Sequence, residues 1–554
     1  MKTFTALTFV FLFLSIHSFS QTKNFEPDKI ATFCKVWGFL KYHHPAVAKG
    51  KYDWDKVFLE KINTVETLNG KEELNNFYYN WITGLGKLKT HSARTPPKDA
   101  ILSNYDSTWY KDTSAFSDKV VDLLTRVKNN SRSKNHYVKK KFFGLSATSY
   151  ENENLYKDSM YPFLEMRLLI LSRYWNIVNY FYPYKYLTDT HWQDVLTKFI
   201  PEFIKAKNSS EYRLNLAALF AKLNDSHTGV NRLYDSSGPK LPSFNNRIID
   251  NKIVTLDAFN DSICKKEDIR YGDVILKING QSVTDRISYK SKYVSASNPA
   301  SLYDLLTPDV IWTGLEYPAT VTCIRDGDTL EKRISAYSYD VIFPHWQNLR
   351  HQSAPNKYKI LENNIAYVNL GNLKSKKEAK KMLKKIKSTK GTILDIRNYP
   401  NGSIFNSITN FFCTSKNAYA KIVHQSIKYP GALTYTRTLH CGKNKGASYN
   451  GKVVVLTNET TASFAELFTM ALKTIPGVII IGNHTAGADG SNNAFGLQGN
   501  IITSFSNEAV YYPDGKQTQR IGIVPDIKVL PTIEGVRLKK DEALDKAIEV
   551  LSKA

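Results

Sequence analysis

The stretch "GKVVVLTNETTASFAELFTMAL", residues 451–472, runs an apolar strand pattern through a polar turn into an apolar-periodic helix. Ser463 stands where the turn becomes the helix. Two readings of its hydroxyl follow from the residues. Ser and Thr are favoured helix N-caps, and Asn-Glu-Thr-Thr is ordinary loop chemistry before a helix. A hydroxyl at the positive end of a helix dipole, beside N–H groups that can hold a developing oxyanion, is also how a nucleophile is presented. Deciding between them requires a base and an oxyanion partner.

Working outward, residues 341–554 alternate strand and helix patterns: "NNIAYVNL", "KSKKEAKKMLKKIKSTK", "GTILDIRNYPNG", "GKVVVL", the Ser463 helix and "GVIIIGNHTAGADG". That alternation predicts a mostly parallel sheet with crossover helices. In the lysine-rich segment, Leu373, Met382, Leu383 and Ile386 form an apolar stripe, so its charges are a solvated helix face. Residues 241–340 read differently, as short strands with tight turns at Asn279-Gly280 and Asp326-Gly327.

The first half holds a diverged repeat. Trp37 matches Trp175, Tyr42 matches Tyr180, Pro45 matches Pro183 and Trp54 matches Trp192, at a constant offset of 138. Both copies have helical periodicity, so residues 21–95 and 162–240 are expected to be two small helical units. Only the second ends in "NDSHTG", which introduces Asp225, Ser226 and His227. Between them, residues 96–161 are polar and lysine-rich and read as a connector.

Composition narrows the classes. The chain has 554 residues, 42% of them hydrophobic, enough for three or four domains with real cores. A net charge of +24 raises nucleic acid as a partner, but no nucleic-acid motif accompanies it; a basic face suited to anionic envelope surfaces or acidic peptides is the weaker alternative. Residues 1–20 combine Lys2, an apolar run and Ser18-Phe19-Ser20, and read as a secretory signal. No second long apolar stretch follows, so the mature chain is expected to be exported, periplasmic or secreted, with no integral membrane segment. Five widely spaced cysteines without a CxxC indicate neither a disulfide framework nor a zinc site. They read as buried hydrophobes, with one bridge, Cys264 to Cys323, open as an alternative.

Two resemblances organise these observations. The Gly-Asp-Val-Ile-Leu-x-Ile-Asn-Gly run at 272–280, followed by a helix pattern and a hairpin, resembles a PDZ domain. Four further motifs occur in order: Asp-Ile-Arg-x-x-Pro-x-Gly at 395–402, Thr-Ala-Ser-x-x-Glu at 461–466, Gly-x-x-Thr-x-Gly at 482–487 and Gly-Ile-x-Pro-Asp at 522–526. Together they resemble the S41 peptidases, the C-terminal processing and tricorn-type serine proteases. The resemblance implies a multidomain α/β protein: an N-terminal helical repeat region, a PDZ-like α+β domain, and a C-terminal α/β core of the ClpP/crotonase type.

It also implies an endopeptidase acting on polypeptides without metal or cofactor. Ser463 would form an acyl-enzyme, with its oxyanion held by the backbone N–H of Phe464 and that of Gly402. Family processing enzymes place a lysine base where this chain has Ala488, which leaves the tricorn-like alternative of His227 with Ser226 before it. That branch has an acidic residue where Gln519 stands, so Gln519 is the candidate fourth member, able to hydrogen-bond but not to counter a charge, with a plain surface residue as the equal alternative. The competing expectation is a catalytically silent binding protein of the same fold for peptides or apolar ligands.

Overall fold

The structure, a computed structural model, describes residues 25–89, 94–130, 135–140, 148–156, 161–231, 240–307, 310–338, 341–342, 357–413, 415–443, 449–499 and 501–553. The secretory signal expected at 1–20 lies outside them, as does part of the lysine-rich run near 131–147.

The two helical units have the same anatomy. Helices Pro27–His43, Trp54–Thr67 and Gly70–Gly84 make the first, and Leu164–Phe181, Trp192–Lys205 and Ser209–Ala221 the second. A buried indole N–H needs an acceptor. In the first unit Trp37 donates to the Trp54 carbonyl at 2.9 Å and Trp54 donates back to that of Trp37 at 3.2 Å. Trp175 and Trp192 make the same exchange at 2.8 and 3.1 Å. The leading helices of the two units touch at matched positions. A Cβ on Gly38 would lie 2.0 Å from the Asn176 side chain, and Asn176 Nδ2 donates to the Cys34 carbonyl at 3.1 Å. Only a residue without a side chain admits that crossing.

The segment read as a connector is part of this body. Helix Asp118–Asn129 buries Val120, Leu123, Leu124 and Val127, and strand Ala100–Ile101 pairs with strand Leu433–Cys441 of the C-terminal half. Glu153 answers two cations that the helical units bury, Lys41 at 2.6 Å and Arg173 at 3.2 Å, each 1% exposed. Arg173 also pairs with Asp55 of the first unit, but burying Lys41 without a carboxylate would be costly, so this stretch completes the core that both units share.

Residues 241–338 form an antiparallel sheet, in spatial order Asp328–Ile334, Ala319–Arg325, Val274–Ile278, Lys252–Ala258 and Phe244–Ile249, with the short strand Gln281–Ser282 beside Val274–Ile278. Helices Val283–Ser291 and Pro299–Leu306 accompany it, over a core that includes Phe244, Ile253, Ile275, Trp312 and Val321. Both expected turns have two consecutive left-handed residues, φ 47° and 78° at Asn279-Gly280 and 50° and 95° at Asp326-Gly327. This is the geometry that suits a two-residue hairpin loop.

The C-terminal sheet runs Tyr358–Leu361, Ile365–Asn369, Gly391–Asp395, Lys452–Thr457, Ile479–Gly482 and Ile527–Lys528. Its first pairing is antiparallel and the rest are parallel. Helix Lys376–Ile386 turns Ala379, Met382, Leu383 and Ile386 inward and leaves its lysines outside. A separate three-stranded sheet joins Asn492–Gln498 and Ile501–Ser506 to Val230–Asn231. That pairing, with Thr503 opposite Val230, brings the end of the second helical unit to the C-terminal half. The cysteines Cys34, Cys264, Cys323, Cys413 and Cys441 are all free and buried. Cys264 is no partner of Cys323; its sulfur lies 3.1 Å from Ser243 Oγ.

Candidate active site

Helix Phe464–Leu472 begins immediately after Ser463, whose backbone sits at φ 55°, ψ −122°. An ordinary serine N-cap is in the extended region at negative φ. A non-glycine residue here is strained and must be held by its surroundings. The surroundings are visible: Ser463 N–H lies 2.9 Å from the Ala488 carbonyl and 3.2 Å from Glu466 Oε2.

Glu466, fully buried on the first turn of the helix, gathers the neighbouring loop. Oε1 accepts from Thr485 Oγ1 and, at 2.8 Å, from the Gly487 N–H; Oε2 accepts from the Ala488 N–H at 3.0 Å. The Thr-Ala-Ser-x-x-Glu and Gly-x-x-Thr-x-Gly motifs are therefore two sides of one clamp. Burial pushes the Glu466 carboxyl up to about 7, while these hydrogen bonds pull toward the ionised form. Asp489, also buried, is pushed well above the carboxylate range by burial and by the neighbouring Glu466.

Phe464 is the first residue of its helix, and Gly402 opens the 3-10 turn Gly402–Ile404. At such positions the N–H has no acceptor within its own helix. The two residues are neighbours, since a Cβ on Gly402 would lie 3.9 Å from the Phe464 ring. Asn401 has a local purpose: its side chain accepts from Ser403 N–H at 2.9 Å and caps the turn.

His227 follows the second helical unit, and its ring is held from a side that sequence reading does not supply. Nδ1 lies 2.8 Å from Ser506 Oγ, and the Ser506 hydroxyl donates to Asp225 Oδ1 at 3.0 Å. Because that hydroxyl spends its proton on the carboxylate, it must accept from the imidazole. This places the ring proton on Nδ1 and leaves Nε2 as the free base. Asp225, fully buried, also accepts from the backbone N–H groups of His227 at 3.0 Å and Ser506 at 2.7 Å. Burial lowers the His227 pKa, and the charge of Asp225, 4.0 Å from Nδ1, opposes that shift.

Ser226 is not the partner of the imidazole. Its hydroxyl donates to Ser301 Oγ at 2.9 Å and accepts from Ser297 N–H at 2.8 Å, both in the antiparallel module that follows it in the chain. Gln519 is buried, not a surface residue. Its Nε2 donates to Asp225 Oδ1 and its Oε1 accepts from Asp489 N–H, each at 3.2 Å. It therefore links the carboxylate behind His227 to the loop beside Ser463. The Ser463 hydroxyl itself donates to the Gly490 carbonyl at 2.9 Å.

Two partners, Asp225 and Ser506, are thus missing from the motif reading. Asp225 stands in "NDSHTG" two places before the histidine, and that spacing is its only signal. Ser506 carries none. Among the described residues no cluster of His, Cys, Asp and Glu could hold a metal ion, and no helix is long and apolar enough to cross a membrane.

Residues 364–529 match the family model of Peptidase family S41. A search of the curated proteins gives no significant match. Among solved structures, mature CPAF complexed with lactacystin aligns at TM-score 0.54 and 14% identity, covering 70% of this chain and 98% of that one. Mature CPAF without that ligand gives 0.55 and 15%, covering 70% and 97%. A putative peptidase from Parabacteroides merdae aligns at 0.43 and 18%, covering 70% and 96%. At these identities the CPAF alignments speak to the fold alone. The match over 364–529 encloses Ser463, Glu466 and Gln519, so over that span the chain is similar to peptidase family S41.

Proposed function

We propose that this protein is a serine endopeptidase that cleaves polypeptides through an acyl-enzyme on Ser463, with His227 as general base. The observation that carries the reading is the His227–Ser506–Asp225 chain, which holds the ring proton on Nδ1 and leaves Nε2 to act as base. The Ser463 hydroxyl leaves the Gly490 carbonyl, turns to Nε2 and gives up its proton as Oγ attacks the scissile carbonyl. The N–H groups of Phe464 and Gly402 receive the oxyanion. The imidazolium then returns its proton to the leaving amine, and water repeats the sequence on the ester.

Gln519, uncharged, holds Asp225 in place, and Asp225 supplies the negative charge that an acid at 519 would otherwise supply. Ser226 is a positioning residue that fastens the histidine turn to the module at 241–340. In this reading the module is PDZ-like and presents polypeptide to the site by strand addition, and residues 1–20 direct export to the periplasm or beyond. The strained φ of Ser463 favours catalysis over the silent binding alternative, because a plain helix cap needs no such backbone.

The test is labelling with a fluorophosphonate probe alongside hydrolysis of fluorescent casein. A serine adduct at Ser463 on folded protein, lost after heat denaturation, with casein cleavage inhibited in proportion, is the expected result. Folded protein that takes no label and leaves casein intact would favour the silent binder.

A further inference from the structure

We propose that Cys413 and Cys441 are a disulfide site that ties the end of helix Phe405–Phe412 to the end of strand Leu433–Cys441, beside the far end of the Ser463 helix. The proposal does not rest on the peptidase reading. Cys413 caps helix Phe405–Phe412, with its N–H donating to the Thr409 carbonyl at 2.8 Å, and Cys441 ends strand Leu433–Cys441. The strand pair Asn417–Gln425 and Leu433–Cys441 lies between them, with Asn417 opposite Cys441.

Three observations bring the sulfurs together. Thr474 Oγ1, just beyond the Ser463 helix, lies 3.5 Å from Cys413 Sγ and 3.3 Å from Cys441 Sγ. Each thiol is also the largest influence on the ionisation of the other. And the backbone after Cys441 passes so close that a Cβ on Gly442 would sit 2.9 Å from Cys413 Cβ. The other three cysteines sit elsewhere: Cys34 is near Ser172, Cys264 near Ser243, and Cys323 lies in strand Ala319–Arg325. Cys441 Sγ further lies 3.7 Å from the Ala471 carbonyl in the last turn of the Ser463 helix, so the bond would form against that turn.

The chemistry is thiol–disulfide exchange with a low-molecular-weight disulfide such as oxidised glutathione. Hydrogen bonds from Cys441 and Thr474 lower the Cys413 thiol to about 7, so Cys413 is the sulfur that ionises first. Its thiolate attacks one glutathione sulfur and expels a glutathione thiolate, giving a mixed disulfide. The deprotonated Cys441 then attacks Cys413 Sγ and expels the second glutathione. Two protons and two electrons leave the protein, and one disulfide is reduced to two thiols. Both cysteines are buried, so the exchange belongs to folding in an oxidising compartment, where such bonds persist.

The test is thiol counting on protein refolded in a buffer of reduced and oxidised glutathione, then denatured without reductant, alkylated, digested and analysed by mass spectrometry. The expected result is three alkylated cysteines of the five and one cross-linked peptide pair containing Cys413 and Cys441. Cys413→Ser should leave Cys441 alkylated. A Cys264→Ser, Cys323→Ser double variant should still show the cross-link, which keeps the test meaningful if Cys413→Ser folds poorly. Five alkylated cysteines, or a cross-link between any other pair, would overturn the proposal.

Discussion

The two helical units share a scaffold and differ in what leaves it. Each closes its core with a reciprocal pair of indole hydrogen bonds, Trp37 with Trp54 and Trp175 with Trp192. At the offset that aligns these pairs, Asp225 and His227 fall opposite Lys87 and Lys89. In the first unit the Lys89 N–H donates to Asn130 Oδ1 at 2.9 Å, so this end of the unit simply docks on the segment between the units. In the second, a buried carboxylate and an imidazole reach Ser506 and Gln519. Identical packing thus supports opposite outcomes. On the proposed reading the chemistry comes from two residues at a chain exit, Asp225 and His227, and from the surface they meet, not from the helices.

If that is right, the largest losses come from the two ends of the proton path. Ser463→Ala should abolish casein cleavage, a loss of at least about three orders of magnitude. The variant should stay folded, since an N-cap hydroxyl contributes only about 1 kcal/mol, as circular dichroism and thermal melting would report. Wild-type turnover in that variant would return Ser463 to the role of cap. His227→Ala should lose about two to four orders of magnitude, whereas Lys89→Ala at the matching position should change kcat less than about twofold. Comparable losses at both would mean that the first unit contributes chemistry too.

A smaller effect tests the carboxylate behind the ring. Asp225→Asn should lower kcat about ten- to a hundredfold, the range for one hydrogen bond to a charged group. The pH profile separates this from mere disruption. The base works as neutral imidazole, and burial lowers the His227 pKa, so activity should rise on an acid limb below the ordinary value of about 6.5. The Asp225 charge raises that pKa. Removing it should shift the limb to still lower pH, whereas a purely structural defect would lower the profile without moving it. A limb at or above pH 7 in the wild type would show that another group carries the proton.

How far the sequence reaches depends on whether a feature is local. The strand-to-helix turn at Ser463, the alternation around it, the two Asx-Gly turns and the Trp spacings are all short-range, and each is readable from periodicity and turn chemistry. Ser506 is different. It becomes a partner of His227 only because Thr503 pairs with Val230, a contact between distant segments that no local pattern encodes. Gln519 is legible as a position in a motif, but its bonds to Asp225 and Asp489 are not. Ser226 illustrates the reverse error: adjacency to a histidine suggests an imidazole partner, whereas successive residues after the helix point to different neighbours, and Ser226 faces Ser297 and Ser301. Residues 96–161 read as a connector because their lysines dominate the composition. The apolar spacing Val120, Leu123, Leu124 and Val127 marks a packed helix within them.

The smallest expected effect bears most directly on the comparison. Trp37→Phe and Trp175→Phe each remove one indole donor and leave a buried carbonyl, that of Trp54 or Trp192, without its partner. Each should cost about 1–3 kcal/mol, seen as a drop of a few degrees in Tm, and the two drops should agree because the geometries agree. Activity should not agree. Helices Trp192–Lys205 and Ser209–Ala221 lead directly to Asp225, so loosening the Trp175–Trp192 exchange should disturb the histidine turn and lower kcat severalfold while KM changes little. The first unit has no such exit to the site, and Trp37→Phe should keep kcat within about twofold of wild type. Equal losses of kcat would mean that the helical units move as one body and that the exit cannot be separated from its scaffold. Unequal Tm shifts with unchanged kcat in both would show that the shared anatomy hides different energetics, and that neither scaffold sets the position of His227.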